Sequence, residues 1–155
     1  MDGADLDEVD RAIVRILQED ARHNTNATIS DRVGIAPSTV GNRLNRLEDA
    51  GVIRGYRPEV DYERAGYPLQ VLFVCTAPIT RRTEMIDRAL EINGVVGVRE
   101  LMTGRENVHV RVVGGSNVEI TRIAGEIADI GLEIYDETLV KTEATHPSIR
   151  FDPDE

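Results

Sequence analysis

Tryptophan is missing from this 155-residue chain, and Phe and Tyr contribute only 2 and 4 residues. A core must therefore be assembled from Val, Ile, Leu and Ala. One cysteine, Cys75, excludes an intramolecular disulfide, and no His or basic neighbour in sequence marks it as a reactive thiolate. No apolar run approaches the roughly 18 residues a membrane helix needs. The opening "MDGADLDEVD" is acidic and without an apolar stretch, which reads against a secretory signal. A cytoplasmic, soluble protein is expected. The three histidines, His23, His109 and His146, fall in a loop, a strand and the tail, with no metal-ligand spacing. No nucleophile motif and no phosphate-cradling Gly loop is present; "VGGS" at 113–116 reads as a strand-to-helix turn. Neither a catalytic centre, a metal site nor a cofactor is expected.

Lysine is nearly absent as well. Of 18 cations 17 are Arg, Lys141 is the exception, and 28 acids leave a formal charge of −10. A dense carboxylate surface with so little Lys suits a protein working in very high salt and points to a halophilic archaeon, with a merely acidic mesophile protein as the alternative. Such salt also screens an acidic body from a polyanion.

What the chain does have is ordered punctuation. Asp5 and Glu8 carry capping-box-like spacing, and Leu6, Val9, Ile13, Ile16 and Leu17 recur at steps of three and four, so a first helix is predicted from near Asp5. Thr25 or Asn26 can cap a short second helix that turns Ile29 and Val33 inward and ends at Gly34. Pro37 suits the first turn of a third helix, with Val40, Leu44 and Leu47 as its buried stripe and Gly51 as its stop. Its other faces carry Ser38, Thr39, Asn42, Arg43, Asn45 and Arg46, side chains able to donate to phosphates and base edges. Gly41 can serve close approach to a phosphate or be merely tolerated. Val52 to Tyr56 reads as a short wing strand, with Arg54 and Arg57 as candidate phosphate contacts. From Arg32 to Arg57 five Arg stand against Glu48 and Asp49, a local +3.

"LDEVDRAIVRILQEDAR" followed by "ISDRVGIAPSTVGNRLNRLEDAGVIRGY" resembles the N-terminal winged helix-turn-helix of the Lrp/AsnC (leucine-responsive) family of transcription regulators. Departures from its pattern are Ala36 in place of a capping Ser, Ser30 in place of Ala, and Gly41 and Asn42 in place of more typical polar or basic residues. Arg43→Ala or Arg46→Ala is expected to weaken DNA binding without unfolding the chain, and Asn42→Ala to relax specificity.

"DYERAGYP" reads as a junction. Beyond it, "LQVLFVCTA" predicts a central strand, and Ile86, Ala89, Leu90 and Asn93 a helix stripe ended by Gly94. "VVGVRELMTG" and "ENVHVRVVGG" predict two strands; Ile120, Ile123, Ala124, Ile127 and Ile130 a second helix; "LEIYDETLVKT" a last strand. The order β-α-β-β-α-β is ferredoxin-like, the topology the same family attaches to its DNA-binding domain. The fold class is thus α+β: a winged helix-turn-helix over 1–61, a linker at 62–68, a ferredoxin-like (RAM/ACT-like) domain for sensing and oligomerisation over 69–143, and an arm with an acidic tail at 144–155.

The resemblance implies double-stranded DNA as a partner at a pseudo-palindromic site, a homodimer that can grow to an octamer, and a small effector, an amino acid, bound between dimers near the turn "TGRENVHV". Thr103, Gly104, Arg105, Glu106, Asn107 and Thr138 are the candidate effector residues. Arg105 could fork onto an α-carboxylate; equally, Gly104 can serve only the turn and Arg105–Glu106 be a solvated pair. Where the family often has Asp three residues after the Gly, this chain has Asn107, which both donates and accepts. Two alternatives stand beside this: a sirohaem-decarboxylase-like enzyme of the same architecture, and a DNA-binding protein that needs no effector.

Overall fold

The computed structural model describes residues 5–102 and 104–146. The chain divides into two compact units, one holding the residues up to Pro58 and the other Glu59–Glu143.

In the first unit, α1 (Glu8–Asp20) begins three residues later than Asp5. Asp7 is the N-cap: its carboxylate accepts from the Asp10 backbone N–H, and the Asp10 carboxylate accepts from that of Asp7. The capping box is therefore Asp7/Asp10, not Asp5/Glu8. Thr25 caps α2 (Asn26–Val33), and Gly34 closes it in the left-handed conformation, φ 74°, a shape that costs glycine nothing. This is the tight turn that swings α3 (Pro37–Asp49) across α2. Pro37 sits in the first turn of α3, and Ala36 gives it no side-chain cap. Ile13, Ile16, Ile29, Val40 and Leu47 form the buried core, with Leu44 and Ile53 packed against it.

The predicted wing strand at Val52–Tyr56 does not form. The N–H groups of Val52 and Ile53 both donate to Leu47 O, closing the end of α3. A segment spent on a helix terminus has no ladder to join, and residues 54–60 run on without regular structure.

The second unit opens with a turn in which Ala65 N donates to Asp61 O and Tyr67 N to Tyr62 O. Residues 62–68, read above as linker, thus include a hydrogen-bonded turn. Then come β1 (Leu69–Thr76), a 3-10 turn (Ile79–Arg81), α4 (Arg82–Leu90), β2 (Val95–Glu100), β3 (Val108–Gly114), α5 (Asn117–Asp129) and β4 (Glu133–Leu139). The strands are antiparallel in the order β2-β3-β1-β4, the ferredoxin-like arrangement. Val71, Phe73 and Cys75 of β1 and Val108, Val110 and Val112 of β3 point at the helices, which return Met85, Ala89, Ile120, Ile123 and Ile127. The α4 stripe differs from expectation: Met85 and Ala89 are buried, whereas Leu90 is half exposed. α4 stops at Leu90 with Glu91 as its C-cap, not at Gly94; Gly94 lies in the turn into β2 at φ 101°, where a Cβ would stand 2.5 Å from Ile123 Cδ1. Residues 147–155, most of the expected arm and acidic tail, lie outside the described residues.

Candidate nucleic-acid interface and effector turn

Three faces of α3 have different duties. Val40, Leu44 and Leu47 hold it to the core. Ser38, Asn42 and Asn45 follow at steps of four and three and so share the opposite face. All three are exposed, as is Thr39 on the flank. These four side chains are uncharged and can both donate and accept, the equipment for reading base edges.

The two arginines of α3 lie elsewhere. Arg43 is three residues beyond Val40 and four before Leu47, which puts it on the inner flank beside α1. Its Nη1 donates to Asp7 Oδ2 at 2.5 Å and to Asp10 Oδ1 at 2.9 Å. Arg46 Nη2 donates to Asp10 Oδ2. Asp10 is fully buried, the Arg43 side chain is 26% exposed and that of Arg46 57%. The pair Asp7–Asp10 therefore fastens the first turn of α1 to the middle of α3, and Arg43 is first a strut. The Arg43 guanidinium, ahead of the Asp10 backbone N–H, holds the Asp7 carboxyl down at about 2. Arg43→Ala therefore acts on the fold as well as on any DNA contact, because that change strips a buried carboxylate of a partner. Asp7 and Asp10 went unremarked in the sequence, although an acid three residues before Ile13 on an apolar stripe is a usable signal.

This alters the charge of the interface. Arg32 is paired with Glu19 at 2.9 Å. Glu19, Asp7 and Asp10 of α1 pair with Arg32, Arg43 and Arg46, so three of the five arginines counted as +3 are engaged within the fold. Arg54 and Arg57 are exposed and make no ion pair among the described residues. They line a groove of about 320 Å³ with Val14, Leu17 and Tyr56. Tyr56 donates to Glu48, and its hydroxyl is pushed up to about 12 by burial first and that carboxylate second. Gly41 faces Asn26 of α2, where a Cβ would stand 3.1 Å from Nδ2; it serves helix packing.

Of the effector candidates, Thr103 lies outside the described residues. Gly104 turns the chain with φ 102°. Arg105 is exposed and Glu106 half-buried. The Arg105 carbonyl accepts from Thr76 Oγ1 at 2.9 Å. Asn107 has another task. It is 6% exposed, accepts from Ala77 N at 2.9 Å and donates to Ala77 O at 3.1 Å. Both ends of the amide are spent on the backbone N–H and C=O of one buried residue, so its side chain is not open to a ligand. That use also explains an amide at this position: a carboxylate would set an oxygen against the Ala77 carbonyl. Thr138 pairs with Leu72, four residues along β1 from Thr76. At about 3.3 Å per residue that is about 13 Å from the turn, so within one chain Thr138 stands apart from Gly104–Asn107.

Other chemistry finds little support. Cys75 is buried, and burial pushes its thiol up to about 11. His23 is exposed on Asp20 at 2.7 Å, and His109 lies mid-sheet opposite Arg99. Among the described residues no cluster of three or more His, Cys, Asp or Glu could hold a metal ion, and no helix is long and apolar enough to cross a membrane.

A three-helix unit with an exposed polar third helix, joined to a ferredoxin-like sheet, defines a helix-turn-helix DNA-binding protein with an appended α+β domain. A family model described as winged helix-turn-helix DNA-binding matches residues 6–54. The chain is 34% identical over 118 residues to the HTH-type transcriptional regulator PH0140 of Pyrococcus horikoshii, covering 76% of this chain and 73% of that one. It is 52% identical over 69 residues to the HTH-type transcriptional regulator AldR of Mycobacterium tuberculosis, covering 44% of this chain but 38% of AldR's length. The crystal structure of MtbAldR superposes with a TM-score of 0.76 at 29% identity, over 93% of this chain and 99% of that one. The L-Met complex of the regulator NMB0573 of Neisseria meningitidis shares the fold, with a TM-score of 0.75 at 23% identity over 91% and 93%. The chain belongs to the Lrp/AsnC family of HTH-type transcriptional regulators.

Proposed function

We propose that this regulator reads a pseudo-palindromic duplex site as a homodimer, able to assemble further to an octamer, and that a small amino acid modulates it. The single observation carrying the DNA reading is the outer face of α3. Ser38, Thr39, Asn42 and Asn45 stand exposed there, and side chains of this kind bond base edges in the major groove. Arg54 and Arg57 contact phosphates. Arg46, more than half exposed, reaches a phosphate from the rim of the same face. Half-sites should lie about 34–36 Å apart, or a multiple of it.

For the effector, the exposed turn at Gly104–Arg105, with Glu106 beside it, supports a site in which Arg105 forks onto an α-carboxylate and Glu106 takes the ammonium. Thr138 joins it only from another copy of the chain. An amino acid in complex with the like-folded NMB0573 supports that ligand class. The chain would act in the cytoplasm of a cell holding high salt, where its acidic surface stays hydrated.

Footprinting on DNA upstream of its own gene, over a range of salt concentrations, tests the first part. Protection of two patches in phase with the helical repeat is expected; no protection at any salt would sink it. A thermal-shift screen with the twenty amino acids tests the second. A flat response with intact DNA binding would favour an effector-free regulator.

A further inference from the structure

At the first turn of α1 two carboxylates present their oxygens to the guanidiniums of α3 as a phosphodiester would. Asp10 is the inner one. It is buried, with Oδ1 taken by Arg43 and Oδ2 by Arg46 and the Asp7 N–H. Asp7 is the outer one, its side chain 52% exposed. It caps the helix through Oδ1, which accepts from Asp10 N at 2.8 Å. Its Oδ2 is bonded to Arg43 Nη1. Arg43 would stay tied to Asp10 if this outer bond were lost, so the fold does not depend on Asp7 for its strut. What Asp7 adds is a second negative group on a partly exposed guanidinium of the inner flank, one turn on from Thr39.

We propose that Asp7 is a specificity-setting residue: by occupying Arg43 it keeps that charge off the DNA backbone and so suppresses sequence-independent binding. The inference rests on the reading of α3 as the DNA-facing helix. Non-specific affinity is almost wholly counterion release, with a slope of about −0.9 in log K against log salt per phosphate neutralised. Base-edge bonds from Asn42 and Asn45 carry no such term. With three of the five arginines between Arg32 and Arg57 engaged by carboxylates, one guanidinium more or fewer is a large fraction of the electrostatic pull. The Asp7 carboxyl, held at about 2, stays anionic at every pH where duplex DNA is intact.

The test uses the full chain and two duplexes of equal length, a footprinted target and its scramble, with fluorescence anisotropy across a salt series. Asp7→Asn is the informative variant because Asn caps a helix about as well as Asp; Asp7→Ser is a second, and melting curves confirm folding. Asp7→Asn should raise affinity for the scrambled duplex about 3- to 10-fold near 0.1 M salt and steepen the slope by about 0.9. The target-to-scramble ratio falls accordingly. In an Arg43→Gln background Asp7→Asn should change neither quantity. An equal rise in that background would mean Asp7 acts through its own charge alone, and the proposal fails. It fails too if Asp7→Asn leaves the slope unmoved while Asn45→Ala still erodes discrimination. If Asn42→Ala and Asn45→Ala both leave discrimination intact, the reading of α3 itself is wrong, and the inference falls with it.

Discussion

Asp10 is an acid written into an apolar stripe, between Leu6 and Ile13, and its neighbours determine what that costs. A buried carboxylate is tolerable only when paired and hydrogen-bonded. Here Arg43 and Arg46 together with the Asp7 N–H meet that need. Arg43→Ala removes the more buried of the two cations and should destabilise the first unit by about 1–3 kcal/mol, whereas Arg46→Ala, more than half exposed, should cost less. Urea denaturation followed by circular dichroism distinguishes them; equal and negligible effects would contradict the strut. Asp7 governs the acid limb. Its folded value, about 2, lies below its ordinary 3.8. A depressed carboxylate contributes stability above its unfolded value and loses it as pH falls toward the folded one. Stability should therefore drop between about pH 4 and pH 2, and Asp7→Asn should flatten that part of the profile in melts taken by pH. An unchanged acid limb in the variant would count against the Arg43 contact.

At the scale of elements, the joint between β1 and the β2–β3 turn is pinned by one side chain. Asn107 bonds both the N–H and the C=O of Ala77, a residue 2% exposed. Asn107→Ala should cost about 2–4 kcal/mol, since a buried donor and a buried acceptor lose their partners together. Asn107→Asp keeps the acceptor but faces the Ala77 carbonyl with a charge, and should be destabilised as well. Chemical denaturation of the full chain checks both. Wild-type stability in Asn107→Asp would show that the site can host the acid after all. The edge strands are blunted in the same economical way. Register shifts place an extra residue, Val96 in β2 and Tyr135 in β4, against the inner strands, and bulges at sheet edges discourage pairing with other chains.

For the whole molecule, a formal −10 over 155 residues is a standing self-repulsion. The ion pairs tying α1 to α2 and α3 show where cations have been spent, and the acids left over are surface charges. Raising KCl from about 0.1 M to above 1 M shrinks the Debye length from about 10 Å to about 3 Å. The melting temperature should therefore rise with salt, although exposed ion pairs such as Arg32–Glu19 weaken. A melting temperature that falls across the series would mean that local pairs outweigh the net charge.

Local chemistry in the sequence determined much of this: the Thr25 and Gly34 caps, Pro37 opening α3, the alternation of β3, the βαββαβ order and the polar face of α3. These are legible because each depends on neighbours three or four residues away. The misses share one cause, dependence on partners outside the local pattern, five or six residues back for Val52 and Ile53 and 30 or more for the others. Nothing within 52–56 reveals that its N–H groups go to Leu47. Nothing in "GRENV" tells that the Asn107 amide will meet Ala77, 30 residues earlier. The largest case is Arg43, 36 residues from Asp7. From sequence it is a cation on a DNA-reading helix; tertiary packing makes it a partner of the buried Asp10, 33 residues away. The sequence supplied the polar face, and the fold decided which of its charges remain for DNA, because burial fixes partners that spacing cannot.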